Sequence, residues 1–248
     1  MQVTNGLRSA TQHFMLTVFN KKTVSILPLG NSITNGTDRY NSYRRPLWQA
    51  LHEGNYNFDL IGSWDKHHMG GPVPDPDFDM DHDGHSGRNT ADVLHPPDWD
   101  DHRGSLSLWL KNYSPDIVLI ELGTNDIFQC KSQDELFRNF TNIIASLRQR
   151  NGRVKIFIGT IIPLGPRWSK EKYCGALSLG EALQAVNAKL PGFCASQSTR
   201  ESKVIWVDLF PAIDPATQMY DDIHPNTEGE QALARVWLEA IRREIPRF

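Results

Sequence analysis

Ser32 ends the run Ile26-Leu27-Pro28-Leu29-Gly30-Asn31, where an apolar stretch stops abruptly in a small polar turn. A serine hydroxyl is a poor nucleophile unless a base takes its proton as it attacks, and histidine titrates in the right range. His224 in Tyr220-Asp221-Asp222-Ile223-His224-Pro225-Asn226 is the candidate base. Asp221, three residues earlier, can reach the imidazole Nδ1 within one turn, fixing the tautomer and stabilising the imidazolium. Asp222 competes for that role, and the one-turn spacing favours Asp221. A third polar stretch, Glu121-Leu122-Gly123-Thr124-Asn125-Asp126, closes another apolar run and offers the Asn125 side-chain amide. The negative oxygen of a tetrahedral intermediate needs aimed donors. The expected set is the Ser32 N–H, the Gly87 N–H and the Asn125 amide, Gly87 because a residue without a side chain lets the backbone approach a ligand closely. The chemistry implied is transfer of an acyl group from an ester to water.

These residues converge only if the chain folds so that distant segments share one rim. The sequence predicts strands over 22–29, 58–62, 116–122, 154–162 and 204–207. A helix is expected from about Ser42 to Gly54 and another over 105–112. Ser132 with Glu135, Ser178 with Glu181 and Thr227 with Glu230 have the spacing of capping boxes. They open helices that end near Asn151, near Leu190 and beyond Ile241. Strands alternating with helices predict a single-domain α/β three-layer sandwich around an open, five-stranded parallel sheet over 22–248, with 1–21 as an N-terminal extension. In such sheets ligands bind beyond the carboxyl ends of the strands, where Ser32, Asn125 and the Asp221–His224 loop are expected. Residues 63–104, rich in Pro, Gly, His and Asp, read as a long functional loop or lid.

Gly30-Asn31-Ser32-Ile33-Thr34, Gly87, Gly123-Thr124-Asn125-Asp126 and Asp221-Asp222-Ile223-His224-Pro225-Asn226 resemble the four blocks of the SGNH, or GDSL-type, hydrolase superfamily. The resemblance spans most of the chain. It implies a flavodoxin-like fold, no metal cofactor for the chemistry, and catalytic roles for Ser32, Gly87, Asn125 and His224. Tyr43-Arg44-Arg45-Pro46-Leu47-Trp48, Asp59-Leu60-Ile61-Gly62-Ser63 and Asp81-His82-Asp83-Gly84-His85-Ser86-Gly87 are similar to carbohydrate esterase family three, whose members remove acetyl groups from xylan. Asn31 stands where the superfamily usually has Asp, and Arg88 where the esterase family often has Trp. The serine also lacks the G-x-S-x-G elbow of an α/β-hydrolase, because Ile33 and Thr34 follow it.

Taken alone, Ser32 would be a helix cap and Asn125-Asp126 a turn. Their occurrence with Asp221 and His224 at strand ends favours catalysis. Asp79, Asp81, Asp83 and Gly84 imitate the start of a calcium loop, yet Thr90 occupies its twelfth position, so a solvated acidic loop is expected. His67 with His68, and His82 with His85, are read as surface histidines of the loop and not as metal ligands. Arg88 could contact a substrate or pair with an Asp, and Trp64, Trp99 and Trp168 could stack on sugar rings or anchor loops. With 26 Lys and Arg against 29 Asp and Glu, there is no basic surplus to attract nucleic acid. No apolar run reaches the roughly 18 residues of a membrane span. Residues 1–22 lack a basic n-region and a sustained apolar core, so the sequence as it stands points to the cytoplasm, and to an extracellular site if a leader is missing. Cys130, Cys174 and Cys194 are expected to be buried thiols, with Cys174–Cys194 as the alternative pair. The expected partner is a small-molecule or polysaccharide ester. Competing readings are a thioesterase or lysophospholipase on longer chains, and a non-catalytic carbohydrate-binding protein.

Overall fold

The computed structural model describes residues 23–66 and 74–244. The N-terminal extension, His67 and His68 lie outside them. In chain order the elements are β1 (Val24–Gly30), α1 (Ser32–Asn35), α2 (Arg44–Glu53), β2 (Phe58–Leu60), β3 (Asp83–Gly84), α3 (Thr90–Leu94), α4 (Leu106–Trp109), β4 (Ile117–Glu121), α5 (Thr124–Phe128), α6 (Gln133–Arg150), β5 (Lys155–Gly159), α7 (Pro166–Ser169), α8 (Leu179–Gln197), β6 (Val204–Val207) and α9 (Thr227–Glu244). Five parallel strands run β2-β1-β4-β5-β6, and the two-residue β3 continues the β1 edge beyond β2. The chain leaves β1 toward β2 on one side and returns to β4 on the other. That reversal opens a crevice at the carboxyl ends of β1 and β4, where Ser32 and Asn125 follow.

Alternation along the strands sends side chains to two cores. Leu27, Leu29, Val118, Ile120, Ile156 and Ile158 pack under α6 and α8, whose stripes include Phe140, Ile143, Leu183 and Val186. Ile26, Ile117, Leu119 and Phe157 pack under α2 and α9, against Leu47, Leu51, Leu233 and Trp237. Each such side chain contributes roughly 1.5–3 kcal/mol by leaving water. Both faces of the sheet are covered, which is why its strands read as continuous apolar runs.

Three expectations change. Residues 74–104 do not form a detached lid: His82, Asp83, His85, Arg88, Asn89 and Asp100 are all buried, and Asp83 thereby leaves the expected solvated acidic loop, whereas Asp75 and Asp77 are exposed and Asp79 and Asp81 partly so. Asp83 accepts from the Ser63 N–H and hydroxyl and from the Tyr113 hydroxyl, so its carboxyl oxygens answer local donors and not water. Polar composition misled here because these groups find partners inside the fold. Cys130 and Cys174 form a disulfide, leaving Cys194 as the free, buried thiol. Cys130 follows α5 with φ 55° and Cys174 precedes α8, a proximity created by tertiary structure across 44 residues. Closing a loop of that length is worth about 4 kcal/mol in the chain-entropy account.

The third change concerns caps. Ser178 and Glu181 cap α8 reciprocally, whereas Ser132 accepts from the Glu135 N–H while Glu135 pairs with Lys131. At α9 the cap is Asn226, whose Oδ1 accepts from the N–H groups of Glu228 and Gly229. Glu230 turns away to the Ser42 N–H at 2.5 Å. α8 also continues through Pro191 to Gln197, past the expected stop near Leu190.

Glu121, the last residue of β4, pairs in register with Gly30 and is 1% exposed. Neither carboxyl oxygen has a hydrogen-bond partner among the described residues. Burial pushes its pKa from 4.5 up to about 8. Between those values the unfolded chain releases a proton that the folded chain keeps, so this group lowers stability as pH rises through the window. Glu121→Gln should therefore gain melting temperature over the native chain as pH goes from 5 to 8.5. Calorimetry that finds the Tm difference flat across this range would refute the protonated, buried state.

Candidate active site

Ser32 is the first residue of α1, directly after β1. The Asn31 Oδ1 caps the turn by accepting from the Ile33 N–H at 2.8 Å. An amide serves this purpose as a carboxylate would, through the lone pairs of its carbonyl oxygen. Gly30 is required by packing, since a Cβ there would lie 2.6 Å from the Glu121 carbonyl oxygen. Across the crevice, the His224 Nε2 lies 2.8 Å from the Ser32 Oγ, and its Nδ1 lies 2.8 Å from the Asp221 Oδ2. The Asp221 Oδ1 accepts from the N–H groups of Ile223 and His224, which curls the loop around the carboxylate. Burial pushes the Asp221 pKa upward, but the hydrogen bonds from His224 and Ile223 outweigh it and leave the net value lowered. The carboxylate at the His224 Nδ1 is that of Asp221; Asp222 sits at φ 67° and its carbonyl accepts from the Gly165 N–H.

The donor side is assembled by bonds between the polar segments. His85 N–H donates to the Gly30 carbonyl at 2.9 Å, and Asn35 Nδ2 donates to Ser86 Oγ at 3.0 Å, tying the serine turn to the loop holding Gly87. Gly87 has φ +83°, which L side chains rarely adopt. The Asn125 Nδ2 donates one N–H to the Arg88 carbonyl at 2.8 Å, leaving the second of its two N–H groups for the cavity it lines. Asp126 accepts from the Thr90 N–H and hydroxyl, joining α5 to α3. Ser32, Thr37, Ser86, Gly87, Asn125, Phe128, Tyr220, Asp221, Ile223 and His224 line one cavity of about 410 Å³. A hydroxyl, an imidazole, a carboxylate and the Gly87 and Asn125 positions thus share a single pocket, an arrangement able to perform acyl transfer.

Other expected substrate contacts lie elsewhere. Arg88 is fully buried and donates to the Asp100 carboxylate at 2.6 Å and to the carbonyls of Asp100 and Gly104. Trp64 bridges to His82 and packs beside Lys66 and Arg103. Trp168 stands edge-on behind Phe128, which itself lines the cavity. Among the described residues no group of three or more His, Cys, Asp or Glu is arranged to hold a metal ion.

Three positioning groups escaped the sequence reading. Arg44 is fully buried and donates to the carbonyls of Thr34, Asn35 and Met80 at 2.8, 2.9 and 2.6 Å, gripping the end of the serine turn. Burial lowers its pKa to about 10, so it stays charged at neutral pH. Glu230, buried and with its pKa raised to about 8 by desolvation, holds the segment before α2 through Ser42. Tyr220 stacks between Tyr40 and His224, with centroid distances of 4.6 and 5.7 Å, and so supports one face of the imidazole. The available signal was Arg44 beside Tyr43 and ahead of Leu47, a charge set among the buried positions of an amphipathic helix.

Residues 29–232 match the family described as GDSL-like Lipase/Acylhydrolase. The multidomain esterase of Ruminococcus flavefaciens is 29% identical over 234 residues, which cover 88% of this chain; the chain spans 28% of that relative's length. A carbohydrate esterase family 3 structure from Talaromyces cellulolyticus matches with a TM-score of 0.69 at 28% identity, over 89% of this chain and 97% of that one. An acetyl esterase mutant solved with an acetate ion gives the same TM-score, identity and coverage. A family 3 carbohydrate esterase from Clostridium thermocellum shares the fold, with a TM-score of 0.68 at 24% identity over 90% and 96% of the two chains. Because the match runs from the end of β1 into α9 and takes in every segment of the crevice, the chain belongs to the GDSL-like lipase/acylhydrolase family of ester hydrolases.

Proposed function

We propose that the chain is a serine carboxylester hydrolase that removes short acyl groups, acetyl foremost, from a carbohydrate. The 2.8 Å contact between His224 Nε2 and Ser32 Oγ carries the catalytic part of this reading. Ser32 Oγ attacks the ester carbonyl while His224 takes its proton, and Asp221 steadies the resulting imidazolium. The growing negative oxygen is received by the N–H groups of Ser32 and Gly87 and by the Asn125 amide. His224 then returns the proton to the departing alcohol oxygen, leaving an acyl-serine. Water attacks this ester with His224 again as base, and the acid and free Ser32 are released.

Two observations support a small acyl group on a sugar. The likeness to family 3 carbohydrate esterases, at 28% identity to one of them, favours the carbohydrate. The cavity of about 410 Å³ has polar walls at Thr37, Ser86 and Asp221, and its apolar walls are Phe128, Ile223 and the Tyr220 ring. It is near the lower end of ordinary ligand sites and suits an acetyl group with part of one ring. A long chain needs a continuous apolar tunnel, since each buried methylene gains about 0.8 kcal/mol. Of the two compartments left open by the sequence, the Cys130–Cys174 bond favours the oxidising, extracellular one.

Ser32→Ala should abolish p-nitrophenyl acetate turnover and labelling by a fluorophosphonate probe; retained turnover would reject the assignment and favour another nucleophile. Asn125→Ala should reduce kcat by roughly two to three orders of magnitude, with KM changing far less, because the lost donor acts on charge that exists only in the transition state. In an acyl-chain series, kcat/KM should be highest for acetyl and fall with each added carbon. An optimum above about eight carbons would give the site to long-chain esters or thioesters instead.

A further inference from the structure

Trp99 has 61% of its surface exposed, unusual for so large an apolar side chain. Its ring nevertheless lies beside Gly87, one of the residues that line the catalytic cavity. A Cβ built on Gly87 would lie 3.3 Å from the Trp99 Cη2 and 3.8 Å from its Cζ2, so one edge of the indole rests against the loop that faces the ester carbonyl. The ring is not carried by a loose loop. It belongs to a 3₁₀ helix over Asp98–Arg103, anchored from within by Asp100, which is fully buried. The Asp100 carboxylate pairs with Arg88 Nε at 2.6 Å and with Arg103 Nε at 2.8 Å, and Arg88 Nη2 donates to the Asp100 carbonyl at 2.7 Å. Arg88 directly follows Gly87. One buried guanidinium therefore fixes both the loop presenting the Gly87 N–H and the helix presenting the exposed indole.

The geometry points to Trp99 as a specificity-determining platform, on which the pyranose ring bearing the scissile acetyl group stacks while its carbonyl sits among Ser32, Gly87 and Asn125. This rests on the carbohydrate reading above. An acetyl group is small, so when its carbonyl is seated the remainder of the substrate lies at the lip of the cavity. A sugar offers there an apolar C–H face, which the electron-rich face of an aromatic ring attracts, and a hydroxyl rim that stays in water. An exposed indole held beside Gly87 meets both requirements, and an aliphatic side chain would supply only contact area.

The test compares kcat/KM for an acetylated methyl xylopyranoside with kcat/KM for ethyl acetate, in the native chain, Trp99→Ala and Trp99→Phe. The native ratio should favour the sugar, and Trp99→Ala should lower that ratio roughly tenfold, mainly through KM, as expected for one stacked ring. Trp99→Phe should recover most of it. A Trp99→Ala ratio equal to the native one removes the platform, whether both esters slow together, which would make Trp99 only a prop for Gly87, or neither slows. A native chain with no preference for the sugar ester would overturn the carbohydrate reading and the platform together, whereas preference without any Trp99 effect overturns the platform alone.

Discussion

The contact between Ser32 and His224 joins segments 192 residues apart, and no local structure can hold such a pair at 2.8 Å. The parallel sheet solves the problem by delivering every chain end to one edge. β1 ends at the serine turn, β4 ends at the turn into α5, and the loop after β6 returns over the same rim before α9 begins. Strand order places β1 beside β4, so the crevice where the chain reverses its direction of travel across the sheet is also where Ser32, Asn125 and His224 meet. Apolar burial on two faces fixes the sheet, and the sheet fixes the site to within the tolerance that hydrogen bonds can then refine.

That refinement is done by buried ions and amides. Arg44 holds the end of the serine turn through two of its carbonyls, and Arg88 holds the helix that borders Gly87. Desolvating a guanidinium costs several kcal/mol unless its donors are answered. Both arginines answer them with carbonyls or carboxylates, and Arg88 in addition lies 5.5 Å from the centroid of the Trp109 ring. Breaking one such partner strands a charge in the interior, so these brackets are stiff. Stiffness at the rim matters because proton transfer and oxyanion stabilisation both fall away steeply when geometry loosens by even an ångström.

Long elements were legible in the sequence because they repeat one rule many times. α6, α8, α9 and the central strands each carry enough apolar positions for their period to stand out. α1, α3, α5 and α7 have only four or five residues, too few for a stripe, and they are set by tertiary hydrogen bonds such as Thr90 to Asp126. That Ser32, Asp221 and His224 should meet could be read because the chemistry proposed for them constrains residue type and order. Arg88 could not be placed: the same arginine suits a substrate carboxylate or a buried Asp, and only the fold shows that Asp100 lies against it. The disulfide was hidden for a related reason, since three cysteines allow three pairings and spacing along the chain does not rank them.

The distribution of negative charge around the serine follows a consistent logic. A carboxylate beneath the nucleophile would oppose the oxyanion, whereas one behind the imidazole favours the imidazolium formed in the same step. Asn31 keeps the capping bond to Ile33 as a neutral amide. Glu121, buried below the turn, and Glu230, which lines a small cavity with Ser32 and His224, both have pKa values raised to about 8 and so hold their protons at neutral pH. Asp221 differs because its carboxylate receives three hydrogen bonds from Ile223 and His224, which lower its pKa despite partial burial. Among these groups, the one placed to stay ionised therefore lies on the far side of His224 from Ser32. In the proposed reaction, that arrangement lets one negative charge assist proton removal without adding to the field at the carbonyl oxygen.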